Sequence, residues 1–238
     1  MTRWWLRGFK KNEDEESIKF IDQLQWEKSN GDGDFYDRFG RTLLLYACVA
    51  NLQEEVHRVL SGLQDMSVHQ RLAYVNAEVS EQSIVEIGAP GRCTALFAAM
   101  TWASSTIVSM LLENGANPYA VDVGRRNVFM YAAFFGRTEN LKFWLEKFPK
   151  WDLSSRESLS GNTALTLACG FGAYNRSAVK FLLKAGCSVN EMLDTGLTTL
   201  MLCTFIFIKL AVYFTYANTF ENRYVERRYG SGSLTTST

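Results

Sequence analysis

Apolar residues along this chain gather in short blocks that come in pairs. The first block of each pair reads GRTLLLYACVAN from Gly40, TALFAAMTWA from Thr94, NVFMYAAFFG from Asn127 and GNTALTLACGFG from Gly161. Each carries a Thr or Asn, a Leu or Phe two residues later, and then a small pair: Ala47-Cys48, Ala99-Met100, Ala132-Ala133 and Ala168-Cys169. A second block, IVSMLLENGANP, NLKFWLEKFP or AVKFLLKAGCSVN, follows three of them. Val108, Leu111 and Leu112 fall at i, i+3 and i+4, which lays one apolar stripe along a helix. Gly115 and Gly186 stand where such helices end, at the position that tolerates positive φ. The pattern predicts two helices per unit. The first is packed closely on its neighbours through the small pair, and the second presents a single apolar face.

Internal repetition sets the architecture. Thr42, Thr94, Asn127, Thr163 and Thr198 hold the same phase and are spaced 52, 33, 36 and 35 residues apart. A period near 33 with two helical halves belongs to a stacked repeat. The residues resemble the ankyrin repeat, whose pattern runs D-x-x-G-x-T-P-L-H-x-A-A-x-x-G and then V-x-x-L-L-x-x-G-A. Thr94 to Pro118 fits it best, with Ala95-Leu96, Ala99, Val108, Leu111-Leu112 and Gly115-Ala116 in register. The resemblance runs from about Asp37 to Leu202. It implies an all-α fold: an ankyrin-repeat solenoid of stacked helix-turn-helix units with β-turn tips, four repeats and the start of a fifth.

Departures from the family pattern carry expectations of their own. The Pro before the Leu is replaced by Leu43, Ala95, Val128, Ala164 and Thr199, and the His by Leu45, Phe97, Met130, Thr166 and Met201. The Thr–His hydrogen bonds of ideal repeats are therefore expected to be missing and the units to be less rigid. Phe148-Pro149 replaces the Gly-Ala ending of the third unit, and AYNRS adds two residues to the fourth.

Three regions follow from this register. Residues 1–35 form an N-terminal cap and linker: DEESIKFIDQLQWEK (14–28) reads as an amphipathic helix with Ile18, Ile21 and Leu24 on one stripe and acids in its first turn, the cap helix is assigned to 13–27, and NGDGD links it onward. A solenoid leaves an apolar face at each end, so a polar-faced cap is required there. Residues 36–203 are the repeat domain. Its first spacing exceeds the period by 19 residues, placing an insertion at about 61–91. Within it VHQRLAYVNAEV reads as a short helix and link, and SEQSIVEIGAPG as an extended finger. A binding loop and a tolerated surface loop fit the insertion equally well. Residues 204–238 are a hydrophobic, then polar tail.

Composition narrows the function. The chain is 47% apolar and has 25 basic and 25 acidic residues, so no global field favours nucleic acid or an anionic membrane. Five cysteines, an odd number without a C-x-x-C pair, fit free thiols in a reducing compartment. Cytoplasm or nucleus is the expected location, with a membrane as the alternative. Cys48 and Cys169 share one repeat position and read as small buried hydrophobes. The two histidines, His57 and His69, have no ligand spacing, and phosphate-loop, nucleophile-elbow and zinc-helix motifs do not occur. No catalysis, cofactor or metal is expected.

Binding is the remaining reading, and a monomer with a protein partner of unknown identity is expected. In the family, recognition uses the turn tips and the exposed ends of the first helices. The residues after each small pair are Val49-Ala50, Thr101-Trp102, Phe134-Phe135 and Gly170-Phe171. Trp102, Phe135 and Phe171, with Phe134 beside them, would line the concave wall as an aromatic patch. The competing reading packs these rings against the next unit. At the tips, Tyr119, Arg125 and Arg126 are candidates for meeting an acidic partner.

The segment TTLMLCTFIFIKLAVYFTYANTF (198–220) leaves three readings open. It opens like a fifth repeat through Asp194, Gly196, Thr198 and Leu200-Met201, and the register fails after Cys203. Residues 200–217 are just long enough for a membrane anchor, with Lys209 at the centre costing about 3 kcal/mol. A degenerate capping repeat and an interruption of the coding frame are the others. A fragment of a larger ankyrin-containing protein also fits the chain as a whole.

Overall fold

Four of the repeats start where a side-chain oxygen accepts from an orphan N–H group of a helix, at Thr42, Asn127, Thr163 and Thr198, whereas Thr94 makes no such cap. Thr42 Oγ1 accepts from the Leu45 amide at 3.1 Å, and Asn127 Oδ1 from the Met130 amide at 2.9 Å. In the fourth unit Thr166 occupies the family's His position and bonds reciprocally with Thr163: the Thr163 amide donates to Thr166 Oγ1 at 2.7 Å, which donates to the Thr163 carbonyl at 2.8 Å. The expected loss of the Thr–His network is thus made good at one unit by a hydroxyl. At the others, Leu45, Phe97 and Met130 are fully buried instead.

A computed structural model describes residues 27–28, 35–36, 42–79, 92–170, 175–202 and 204. Two short strands, β1 (Glu27–Lys28) and β2 (Phe35–Tyr36), pair antiparallel. Glu27, the last residue of the expected cap helix, is therefore in a strand; residues 13–26 of that helix and the linker 30–34 lie outside the described residues. The inner helices are α1 (Leu43–Val49), α4 (Ala95–Trp102), α6 (Val128–Phe134) and α8 (Ala164–Gly170). The outer helices are α2 (Gln53–Gly62), α5 (Ser105–Glu113), α7 (Thr138–Lys147) and α9 (Arg176–Lys184). Between α2 and α4 the insertion forms α3 (Val68–Val75). Inner helices stack in the order α1, α4, α6, α8 and outer helices in the order α2, α5, α7, α9. This is the all-α ankyrin-type solenoid that the register implies. Residues 199–202 open a further helix, preceded by a bridge between Met192 and Thr198, as a fifth repeat would.

Burial explains the two layers. Inner helices are closed on nearly every side: in α4 all residues from Ala95 to Thr101 are buried. Ala47, Cys48, Ala99, Met100, Ala132, Ala133 and Ala168 are fully inaccessible, so the small pairs do set the spacing between units. Outer helices bury one stripe each. In α5 it is Ile107, Val108 and Leu111, with Leu112 only half-buried, so the stripe is turned by one residue from the predicted one. Each of these side chains contributes roughly 1.5–3 kcal/mol of burial energy.

The insertion's predicted helix is α3, fixed by a capping box in which Ser67 and Gln70 bond reciprocally. It lies against the end of α5. Asn76 Nδ2 donates to the Gly115 carbonyl at 3.0 Å, and Asn76 Oδ1 accepts from the Asn117 amide at 2.7 Å. Gly115 is required there: its φ is +87°, and a Cβ would stand 2.3 Å from Leu72 Cδ2. The finger at 80–91 is outside the described residues. So is most of the candidate membrane segment; among the described residues no helix is long and apolar enough to cross a membrane.

Candidate functional site

The ends of the inner helices gather aromatic rings. Trp102 closes α4, Phe134 closes α6, and Phe135 caps it. The Trp102 and Phe135 rings are 6.0 Å apart and tilted by 49°, and Phe134 meets Phe135 edge-on at 5.0 Å. Tyr131, one turn back, stacks on Phe135 at 6.5 Å and receives Phe97 edge-on at 5.2 Å. Trp102 and Phe135, two of the three rings expected in line, therefore meet between repeats two and three. It is neither wholly core nor wholly surface: Trp102 and Phe135 lean on the buried core, and all three rings are half-exposed. Phe171, the fourth expected member, lies outside the described residues.

What holds these rings is a set of caps supplied by the next repeat. A helix leaves its last carbonyls without intrahelical donors. At the end of α4, Asn140 Nδ2 donates to the carbonyls of Ala99, Met100 and Ala103 at 3.3, 3.2 and 3.0 Å. Arg137 Nη2 adds the Trp102 and Ala103 carbonyls at 3.3 and 2.8 Å; burial lowers the pKa of this guanidinium below its ordinary value. At the end of α6, Asn175 Nδ2 donates to the Phe134 carbonyl at 2.7 Å and the Ala133 carbonyl at 3.4 Å. Sequence reasoning missed Arg137, Asn140 and Asn175. Their signal was a polar residue near the start of an outer helix, which by pattern alone reads as solvent-facing.

The tip residues have different fates. Asp122 is buried and binds the loop from inside, accepting from the Gly124 and Arg126 amides at 2.9 and 2.8 Å. Its second oxygen takes Arg126 Nε and the Tyr131 hydroxyl, both at 2.7 Å. Arg126 is therefore a structural cation: paired with Asp122, its guanidinium carbon is 5.2 Å from the centre of the Tyr131 ring. It does not form the free two-arginine tip that the sequence suggested. Arg125 is exposed, with φ at +58°, in the position that glycine holds at Gly161 and Gly196. Tyr119 is 70% exposed and stacks on Trp151, with ring centres 5.7 Å apart and planes 14° from parallel. Of the three tip candidates only Tyr119 belongs to a second cluster, and Trp151 is its unpredicted member.

Trp151 is reached because the third unit ends in Phe148-Pro149. Without the left-handed glycine turn of Gly115 or Gly186, α7 runs into a loop in which Trp144, Phe148 and Trp151 meet at 4.7 to 5.8 Å. This loop and Tyr119 enclose a cleft of about 620 Å³.

Reactive chemistry is sparse. Cys48, Cys93 and Cys187 are buried free thiols. Burial, and for Cys48 the neighbouring Cys93, pushes the thiols of Cys48 and Cys93 far above the usual range, and burial pushes Cys187 up to about 11. Such thiols are poor nucleophiles at neutral pH. Cys169 is buried as expected, and Cys203 falls outside the described residues. His57 and His69 are exposed, and among the described residues no group of His, Cys, Asp and Glu is placed to hold a metal ion.

Comparison with known families agrees with the geometry. The family model described as "Ankyrin repeat" matches residues 92–123, and that described as "Ankyrin repeats (many copies)" matches residues 128–183. No protein of curated function matches the chain. Ankyrin repeats are generally protein-interaction modules and typically non-catalytic. From the stacked helix pairs, the left-handed residues two before Thr94, Asn127, Thr163 and Thr198, and these two matches, the chain is an ankyrin-repeat protein.

Proposed function

We propose that this chain is a non-catalytic interaction scaffold that holds a partner protein on its concave face, with Trp102, Phe134 and Phe135 as anchors. The observation that carries this reading is the half-exposed ring ladder at the ends of two adjacent inner helices. Large rings are costly to leave in water and contribute most where a partner covers them. The caps from Arg137, Asn140 and Asn175 support the reading, because a rigid platform loses little entropy on binding. Location in the cytoplasm or nucleus belongs to the same proposal.

The test uses the purified chain as bait and then a recovered partner in titration. Phe135→Ala and Trp102→Ala each weaken affinity by at least tenfold, while Leu159→Ser, at an exposed tip, leaves it unchanged. Both rings lean on the core, so their alanine variants also lose about 1–2 kcal/mol of stability, less than the 3–5 of a fully buried aromatic. Titration is therefore run well below the melting temperature. Unchanged affinity in both folded variants would remove the ladder from the interface.

A further inference from the structure

The cleft under Tyr119 has a chemistry distinct from the ring ladder. The Tyr119–Trp151 stack and Phe148 line it. Lys147 and Lys150 stand on its rim, both exposed, and neither has an ion-pair partner among the described residues. Asp152 also lines it, but this carboxylate is already engaged. Ser154 donates to it from its amide at 2.9 Å and its hydroxyl at 2.6 Å, and these bonds hold its pKa below the usual range. The volume, about 620 Å³, lies within the range of sites that enclose small ligands or a few side chains.

We propose that this cleft binds a short acidic segment of a partner protein, with an apolar side chain seated against Tyr119 and Trp151. Carboxylates on either side of that side chain pair with Lys147 and Lys150. Two lysines without internal counter-charges select for an anion, and the aromatic wall selects for an apolar group between the charges. A single strand of nucleic acid offers stacking and charge as well. The chain's balance of 25 basic and 25 acidic residues supplies no basic field of the kind that holds a phosphate backbone. The site does not depend on the ring ladder.

A phage-displayed library of random short peptides, selected on the full chain, tests this directly. Selected sequences should carry Asp or Glu flanking an aromatic or branched apolar residue. The best of them, made synthetically with a fluorescent label, is titrated by anisotropy alongside an oligothymidine of similar length. Expected results are a loss of at least tenfold in affinity for the double variant Lys147→Glu, Lys150→Glu, a severalfold loss for Tyr119→Ala, and weakening by added salt. Trp102→Ala should bind as the parent does, which separates this site from the ladder. All three altered positions are exposed, so the variants keep the fold, and matching thermal melts verify it. A library that gives no lysine-dependent binders, peptides without acidic bias, or an oligothymidine that binds more tightly at the same residues would each overturn the proposal.

Discussion

The Tyr131 hydroxyl donates a 2.7 Å hydrogen bond to Asp122 Oδ2, joining the tip loop of the third repeat to its inner helix. The Asp122 side chain is wholly buried, and its partners are this hydroxyl, Arg126 and two loop amides. Burial, followed by the bond to this carboxylate, drives the Tyr131 phenol far above its ordinary pKa. Tyr131→Phe keeps the ring contacts but removes one donor from a buried charge. The expected cost is about 1.5–3 kcal/mol, read as a lower urea midpoint. Asp122→Ala strips Arg126 and the amides of their acceptor together and should cost about 3–5 kcal/mol. Tyr131→Phe within experimental error of the parent would show that water replaces the hydroxyl freely.

Two arginines occupy a backbone conformation suited to glycine, and they predict different results. Arg92 has φ +61° and Arg125 φ +58°, two residues before Thr94 and Asn127. A side chain there costs about 1–2 kcal/mol, against about 0.5–1 kcal/mol of extra chain entropy for glycine. Arg125→Gly should therefore raise stability by about 0.5–1 kcal/mol in thermal melts. Arg92 has a compensating contact, a two-pronged pair with Glu78 at 2.7 and 3.0 Å. Exposed pairs of this kind contribute about 0.2–1 kcal/mol, so Arg92→Gly should change the melt little. A loss of stability in Arg125→Gly would mean that its side chain has a structural role at the tip.

Asn140 is the cap most exposed to a simple test. Its amide serves three carbonyls at the end of α4 and is itself 2% accessible. Asn140→Ala leaves those carbonyls short of donors beneath the Trp102 ring. A cost of about 2 kcal/mol is expected. Hydrogen exchange should quicken at the last turn of α4 well before it does in α6, whose caps come from Asn175. Equal acceleration in both would point to global loosening rather than a lost cap.

The repeat architecture was readable because its signals are local. Small pairs at Ala47-Cys48 and Ala132-Ala133, a Thr or Asn start, and Gly115 or Gly186 at the helix end each report a steric demand of one position. The site was less readable because its parts come from different repeats. Nothing in the local pattern says that Asn140 reaches back to Ala99, 41 residues earlier, or that Tyr119 meets Trp151. Arg126 looked like a free cation because nothing in the pattern marks Asp122, four residues earlier, as its buried partner. The Phe148-Pro149 departure was visible in the sequence, and only packing shows that it opens a cleft.

Acid should unfasten the loop ahead of α8, and one carboxylate decides how. Glu157 is buried in the 157–162 turn and accepts from the amides of Leu159, Ser160 and Asn162 at 2.6, 2.8 and 3.1 Å, and from Asn162 Nδ2 at 2.9 Å. Burial by itself would raise its pKa, but these donors together pull it below the ordinary glutamate value. A group depressed in the folded state stabilises fully above its unfolded pKa, about 4.3, and that contribution fades as pH falls through the lower folded value. The urea midpoint should therefore hold near neutrality and decline below about pH 4.3. Glu157→Gln isolates this residue from other carboxylates such as Asp152, whose pKa is also lowered. The amide cannot accept from donors on both sides, so the variant should be less stable at pH 6, and the gap to the parent should close towards pH 3. A gap that stays constant across that range would assign the loss to shape alone and leave the Glu157 charge without a role in the turn.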